Sequence, residues 1–182
     1  ISRGGRDVYI IDDSLSKKVY FQNSREIHLN SKIFFKEAIK YLKRKFPLMI
    51  MERLKGPVYD LDILSDKGKL ITAVVRKRIN SALPNEGHLI IKNNKLEKLA
   101  ATLSKIFNLN YLHDCDLMLD KNNKFKILEI NPRPSGSFSI GAAAGYPLID
   151  NILKLHKGEK IKKIKNKIKK KIVPYKELLS IW

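Results

Sequence analysis

The chain has 182 residues and is 43% hydrophobic, enough for one domain or for two small lobes sharing a site. Its formal net charge is +19, but Lys outnumbers Arg 29 to 8 and is scattered, so weak, salt-sensitive, non-specific nucleic-acid binding is expected rather than a dedicated groove. One cysteine, Cys115, excludes an intrachain disulfide and a Cys-rich metal site. With no apolar run near the ~20 residues that span a bilayer and no leader pattern at the start, the cytoplasm is the expected compartment.

In chain order, the stretch from Ile1 to Ile11 reads as a turn at Gly4 and Gly5 running straight into a strand. Such a turn can bring backbone N–H groups close to a phosphate, and an ordinary hairpin turn is the competing reading. Lys18 to Phe21 suggests a second strand. Asn30 or Ser31 can cap a helix whose apolar stripe is Ile33, Phe34, Ala38, Ile39 and Leu42, ending at Pro47. Leu48 to Met51 reads as a buried strand leading into Glu52-Arg53-Leu54-Lys55-Gly56-Pro57.

Tyr59 to Leu64 alternates polar and apolar, turns at Ser65-Asp66-Lys67-Gly68, and returns from Lys69 to Arg78. Arg76 and Arg78 share a face of the returning strand, where they can meet phosphate or carboxylate bidentately or pair with Asp60 or Asp62. Ile79 to Ile91, with Pro84, Gly87 and His88, reads as a loop. Asn94 to Phe107 is an amphipathic helix carrying Leu96, Leu99, Ala100, Leu103 and Ile106.

The stretch from Asp114 to Ser137 reads as two strands joined at Lys121-Asn122-Asn123-Lys124. With a four-residue turn, Asp120 faces Phe125, Met118 faces Ile127, Asp116 faces Glu129 and Asp114 faces Asn131. Glu129, Asn131 and Arg133 then share one face. Carboxylates opposed in this way are destabilising unless something cancels the charge. A hairpin whose Asp and Glu face water is one reading, and the other is a site for Mg²⁺, which suits hard oxygen ligands and takes its remaining oxygens from water and phosphate. The same alternation sends His113 and Cys115 to the other face, against a soft-metal site. Phe138 to Gly145 reads as a short buried helix. A further helix starts at Pro147 and stops at Gly158. The tail from Lys160 to Lys171 carries eight lysines, and Ile161, Ile164 and Ile168 at spacings of three and four allow a basic amphipathic helix for an acidic surface.

Asp116, then a turn, then Glu129-Ile130-Asn131-Pro132-Arg133, resembles the metal hairpin of the ATP-grasp enzymes, most closely the carbamoyl phosphate synthase-like ligases. The resemblance implies an α+β fold of two lobes with ATP between them. Residues 1–52 would be an incomplete small lobe and residues 53–182 the large one. It implies that Asp116, Glu129 and Asn131 hold Mg²⁺ (Mn²⁺ being the alternative) and that Arg133 stabilises charge at the reacting phosphoryl. Gly4, Gly5 and Arg6 would belong to the phosphate loop, with Asp7 where a glycine is usual. Glu52, Arg53 and Leu54 would meet the adenine, and Val58 stands where several relatives carry a ribose-binding acid, with Asp60 as substitute. Arg76 would be a further nucleotide contact. The relatives' ending, a strand that adds to the core before a short closing helix, would fall at Ile172-Val173-Pro174-Tyr175 and Leu178-Leu179, the preferred reading of the tail. The family's upstream phosphate-binding Lys and N-terminal substrate domain have no counterpart here, so the chain is expected to be the C-terminal portion of a longer or split enzyme. A partner chain or a homodimer is compatible with that. The activity implied joins a carboxylate to an amine-type substrate through an acyl phosphate. A catalytically inactive fragment and a basic nucleic-acid-binding module are the rivals.

Overall fold

Three short strands, β1 (Val8–Ile11), β2 (Val19–Tyr20) and β3 (Glu26–Leu29), make a small sheet in the order β1-β3-β2. β1 runs parallel to β3 and β2 antiparallel to it. The central strand β3 was not evident in the sequence, where Glu26 and His28 interrupt its apolar pattern. Asn30 follows as a helix cap, accepting a 2.8 Å bond from the Ile33 backbone N–H, and the chain continues through a single turn, α1 (Ser31–Ile33), into a wider π-helical turn at Phe34–Ala38. The computed structural model describes residues 8–17, 19–20, 26–38, 49–81, 86–161 and 170–174. Gly4, Gly5 and Arg6, and the helix stripe at Ile39 and Leu42, lie outside them.

The chain divides into two compact units, Ile1–Arg53 and Leu54–Trp182, each with its own sheet, in an α+β fold. Within the first unit the expected buried strand at its end is not seen. Met49 and Ile50 are 87% and 94% exposed and have no regular structure, so an apolar run alone did not make a strand there.

The second unit is built on a six-stranded sheet in the order β8-β7-β4-β5-β6-β9. β4 (Val58–Asp66) and β5 (Lys69–Arg78) form a hairpin closed by Lys67 and Gly68, both with positive φ, 44° and 75°. That is the two-residue turn whose twist matches the strands, and it is tighter than the four residues expected. The predicted loop from Ile79 to Ile91 contains a strand, β6 (His88–Ile91). Pro84 and Gly87 masked its apolar Leu89-Ile90-Ile91 core. β9 (Lys170–Ile172) adds to β6 at the sheet edge. It starts earlier than the closing strand expected at residues 172–175 and shares only Ile172 with it, Val173 and Pro174 lying beyond it. Tyr175, Leu178 and Leu179 lie outside the described residues, as do Ile164 and Ile168.

α2 (Asn94–Ile106) starts where Asn93 accepts from the Lys95 and Leu96 N–H groups and buries Leu96, Ala100 and Leu103 against one face of the sheet. Leu61, Ile63, Val75, Cys115 and Leu117 meet it there, the leucines at zero exposure, each such side chain contributing about 1.5–3 kcal/mol by leaving water. On the opposite face, α3 (Ser139–Ala143) and α4 (Leu148–His156) cover Leu64, Val74, Leu112 and Ile90. No described helix is long and apolar enough to cross a membrane.

Candidate metal and nucleotide site

β7 (Tyr111–Leu119) and β8 (Phe125–Asn131) form the sequence-predicted hairpin, with Asp116 opposite Glu129 and Asp114 opposite Asn131. The route to that register differs from the expectation. At the tip, Leu119, not Asp120, faces Phe125, and Met118 faces Lys126 rather than Ile127. Asp120 belongs to the turn, its carboxylate accepting from the Asn122 and Lys124 N–H groups. The register shifts between Asp116 and Leu117, which leaves Leu128 as an extra residue on β8 and restores the pairing of the acids.

Across four strands the same face carries Arg76, Asp60, Asp116 and Glu129 in one row, and Val74, Asp62, Asp114 and Asn131 in the next. Strand alternation thus brings five carboxylates against two guanidiniums, Arg76 and Arg78. Arg76 has zero exposure and grips Asp62 with two 2.8 Å bonds, from Nε and Nη2. Its Nη1 donates to Ser137 Oγ at 2.6 Å, which fixes the loop following Asn131 and Arg133. All the donors placed so far are committed to protein, so Arg76 acts within the fold rather than as an open phosphate contact. Arg78 donates through Nε to both Asp60 oxygens at 3.1 Å, and through Nη2 to Asp60 and, at 2.9 Å, to Asp116 Oδ2. His88, fully buried, lies 3.2 Å from Asp60 through Nε2. Asp60 is 1% exposed and committed to these partners, which leaves it poorly placed to substitute for a ribose-binding acid.

The carboxylates divide by charge state. Burial pushes Asp60 up, but hydrogen bonds from His88 and Arg78 and the nearby Arg76 charge outweigh it and hold the group well below the usual carboxylate range. Burial, reinforced by the Asp60 charge, pushes Asp116 up to about 7. Burial and then the Asp62 charge push Asp114 up to about 6. Burial also raises Asp62 to about 6, against the pull of its partner Arg76.

Asp60, Asp114 and Asp116 each offer an oxygen within 4.8 Å of the others. Oδ1 of Asp114 and Oδ1 of Asp116 are buried without a hydrogen-bond partner. Bare carboxylate oxygens amid excess negative charge fit a hard divalent cation, and Asn131, donating to Glu129 Oε1 at 3.0 Å and Asp114 Oδ2 at 3.3 Å, has its own side-chain oxygen to offer. Glu129 and Arg133 are exposed, Arg133 donating to the Pro134 carbonyl. Glu52 and Arg53 are also exposed, Arg53 lying 3.9 Å from Glu26, and Leu54 is half-buried. Cys115 sits in the apolar core, where burial pushes its thiol up to about 12, and His113 shares that face. Sequence reasoning did not place Asp60, Asp114, Arg78 and His88 in one cluster. The signal available was charge at period two on strands otherwise apolar enough to be buried.

The acidic residue facing Glu-x-Asn-x-Arg at one edge of this α+β sheet is the arrangement that resembles the ATP-grasp enzymes. Residues 44–178 match the family described as ATP-grasp in the biosynthetic pathway with Ter operon, and the chain belongs to that family. No curated protein matches it in sequence. Among solved structures, N5-carboxyaminoimidazole synthetase from Staphylococcus aureus is similar at 17% identity over 74% of this chain and 38% of that one, with a TM-score of 0.58. The same enzyme complexed with ADP gives 15% identity over the same shares and 0.57. Biotin carboxylase from Campylobacter jejuni, in complex with β,γ-ATP, is 15% identical over 61% of this chain and 27% of that one, with a TM-score of 0.49. At such identities the likeness to the synthetase is one of fold alone, and the chain spans less than half the length of each of these proteins.

Proposed function

We propose that the chain is the catalytic portion of an ATP- and Mg²⁺-dependent ligase that activates a carboxylate as its acyl phosphate and passes the acyl group to an amine-type nucleophile, in the manner of the carbamoyl phosphate synthase-like branch. The observation that carries this reading is the pair of buried oxygens without a hydrogen-bond partner on Asp114 and Asp116, the former 3.8 Å from Arg76 Nη2, beside Glu129 and Asn131. Asp116, Glu129 and Asn131 would hold the metal. When bound, Mg²⁺ would neutralise the β- and γ-phosphates of ATP. Arg133, exposed two residues beyond Asn131, would stabilise charge on the transferring phosphoryl. Arg76 would act through Ser137, fixing the loop that presents Arg133. Gly4, Gly5 and Arg6 would close on the phosphates, and Glu52, Arg53 and Leu54 would meet the base, with residues 1–52 and 53–182 as the two lobes. A longer chain or a partner would supply the acid-binding domain.

The same geometry favours one rival, an inactive module in which Arg78 permanently takes the place of the metal on Asp116. Titration with ATP at physiological salt, with and without Mg²⁺, beside an Asp116→Ala/Glu129→Ala variant, separates the two. Saturable, Mg²⁺-dependent binding that the variant loses while still folded is the expected result. Binding indifferent to Mg²⁺ and to both substitutions, fading as salt rises, would leave only attraction of polyanions to a +19 chain.

A further inference from the structure

Arg78 serves two carboxylates unequally. Asp60 takes bonds from Nε on both oxygens and from Nη2, is backed by His88, and is 1% exposed. Asp116 takes from Arg78 a single bond, Nη2 to Oδ2, and its Oδ1 is bare. The side chains of Arg78 and Asp116 retain 16% and 18% exposure, so this outer contact is open to solvent while the Asp60 contact is sealed. A cation reaching Asp116 therefore has one hydrogen bond to displace, and the guanidinium it displaces keeps its anchor.

We propose that Arg78 is an exchangeable counter-ion of the metal site: it bridges Asp60 and Asp116 when no metal is bound, and yields Asp116 to a divalent cation while staying on Asp60. This rests on the metal-hairpin reading above. Arg78 is a positioning residue here. It keeps opposed carboxylates together in the empty site, where like charges would otherwise repel, and it sets a threshold that the cation must exceed. The sign of its effect is diagnostic. Loss of a merely structural residue loosens the site and weakens metal binding, whereas loss of a competing charge strengthens it.

The test is titration of Mn²⁺ alone, free ion followed by electron paramagnetic resonance, into the wild-type chain and Arg78→Met, Arg78→Lys and Asp116→Asn. Arg78→Met is expected to bind Mn²⁺ about tenfold tighter than wild type, the effect of removing a unit charge at a few ångströms in a partly buried site. Arg78→Lys, which keeps the charge but loses the fork, should fall between, and Asp116→Asn should bind weakest. Where Arg78→Met does not fold, as judged by circular dichroism, Arg78→Lys decides by the same sign. Wild-type binding that Asp116→Asn abolishes and the Arg78 variants leave equal or weaker would overturn the exchange and leave the metal site standing. Absence of Mn²⁺ binding in every chain, or binding indifferent to Asp116, would overturn it too. The ligase reading is judged apart from this, by the Mg²⁺-dependent ATP titration.

Discussion

The two faces of the six-stranded sheet are made by alternate residues of the same strands, yet they are stabilised in opposite ways. Under α2, Leu61, Ile63, Val75, Cys115 and Leu117 gain by leaving water, and approximate fit is enough. On the other face Asp60, Asp62 and Arg76 are as deeply buried, and each is tolerable only while its partner is present. The apolar face is robust to change of shape. The charged face is intolerant of change of sign, which suits a surface whose task is to keep negative charge in reserve.

The contrast is broken most severely at Arg76. Arg76→Met leaves Asp62 buried and unpaired, and should lower the free energy of unfolding in urea by about 3–5 kcal/mol. The double change Asp62→Leu/Arg76→Met should recover most of that loss, and additive losses would mean the pair is not what holds this face. On the apolar side, Leu117→Ala at zero exposure should cost about 3 kcal/mol in the same assay, with no partner substitution able to restore it through charge. The smallest effect is in pH. Since Asp116 and Asp114 are raised to about 7 and about 6, the folded chain binds more protons than the unfolded one above the ordinary carboxylate range. Stability of the metal-free protein should therefore fall as pH rises from about 4 to about 7, by on the order of 2 kcal/mol once the coupling of these groups is allowed for. A flat or rising melting profile over that window would show that these carboxylates are not held in excess.

The alternation that separates the faces was legible in the sequence, because period two survives any error in strand ends. It placed Cys115 on the face away from Asp116, as the structure does. The pairing of Asp116 with Glu129, in contrast, came from an assumed four-residue turn that is one residue out at the tip and is restored by the extra residue at Leu128. The β4–β5 hairpin and α2 were equally plain, from Lys67-Gly68 and from the Leu96-to-Ile106 stripe. The strands β3 and β6 were hidden by Glu26 and His28 in one case and by Pro84 and Gly87 in the other, where local punctuation outweighed a short apolar run. Met49 to Met51 misled in the reverse sense, for a run of large apolar residues is only a strand when something pairs with it. The pairing of Arg76 and Arg78 with Asp62 and Asp60 was open to reading from the β4–β5 hairpin, and the structure shows it. The joining of those pairs to Asp114 and Asp116 was not, because it depends on which strand lies on the other side of β4. Nothing local in Asp60 says that Asp116 lies across from it on β7.

The extra residue at Leu128 separates the hairpin's tip from its business end. Register at the acids is set by the kink, while the turn at residues 120–124 closes through Asp120's own bonds to Asn122 and Lys124. Length at the tip and alignment at the acids are thus independent variables. A dye, an epitope or a few inserted residues at Asn122-Asn123 would ride on the hairpin without moving Glu129 against Asp116, which makes that turn a handle by which the site can be watched without being touched.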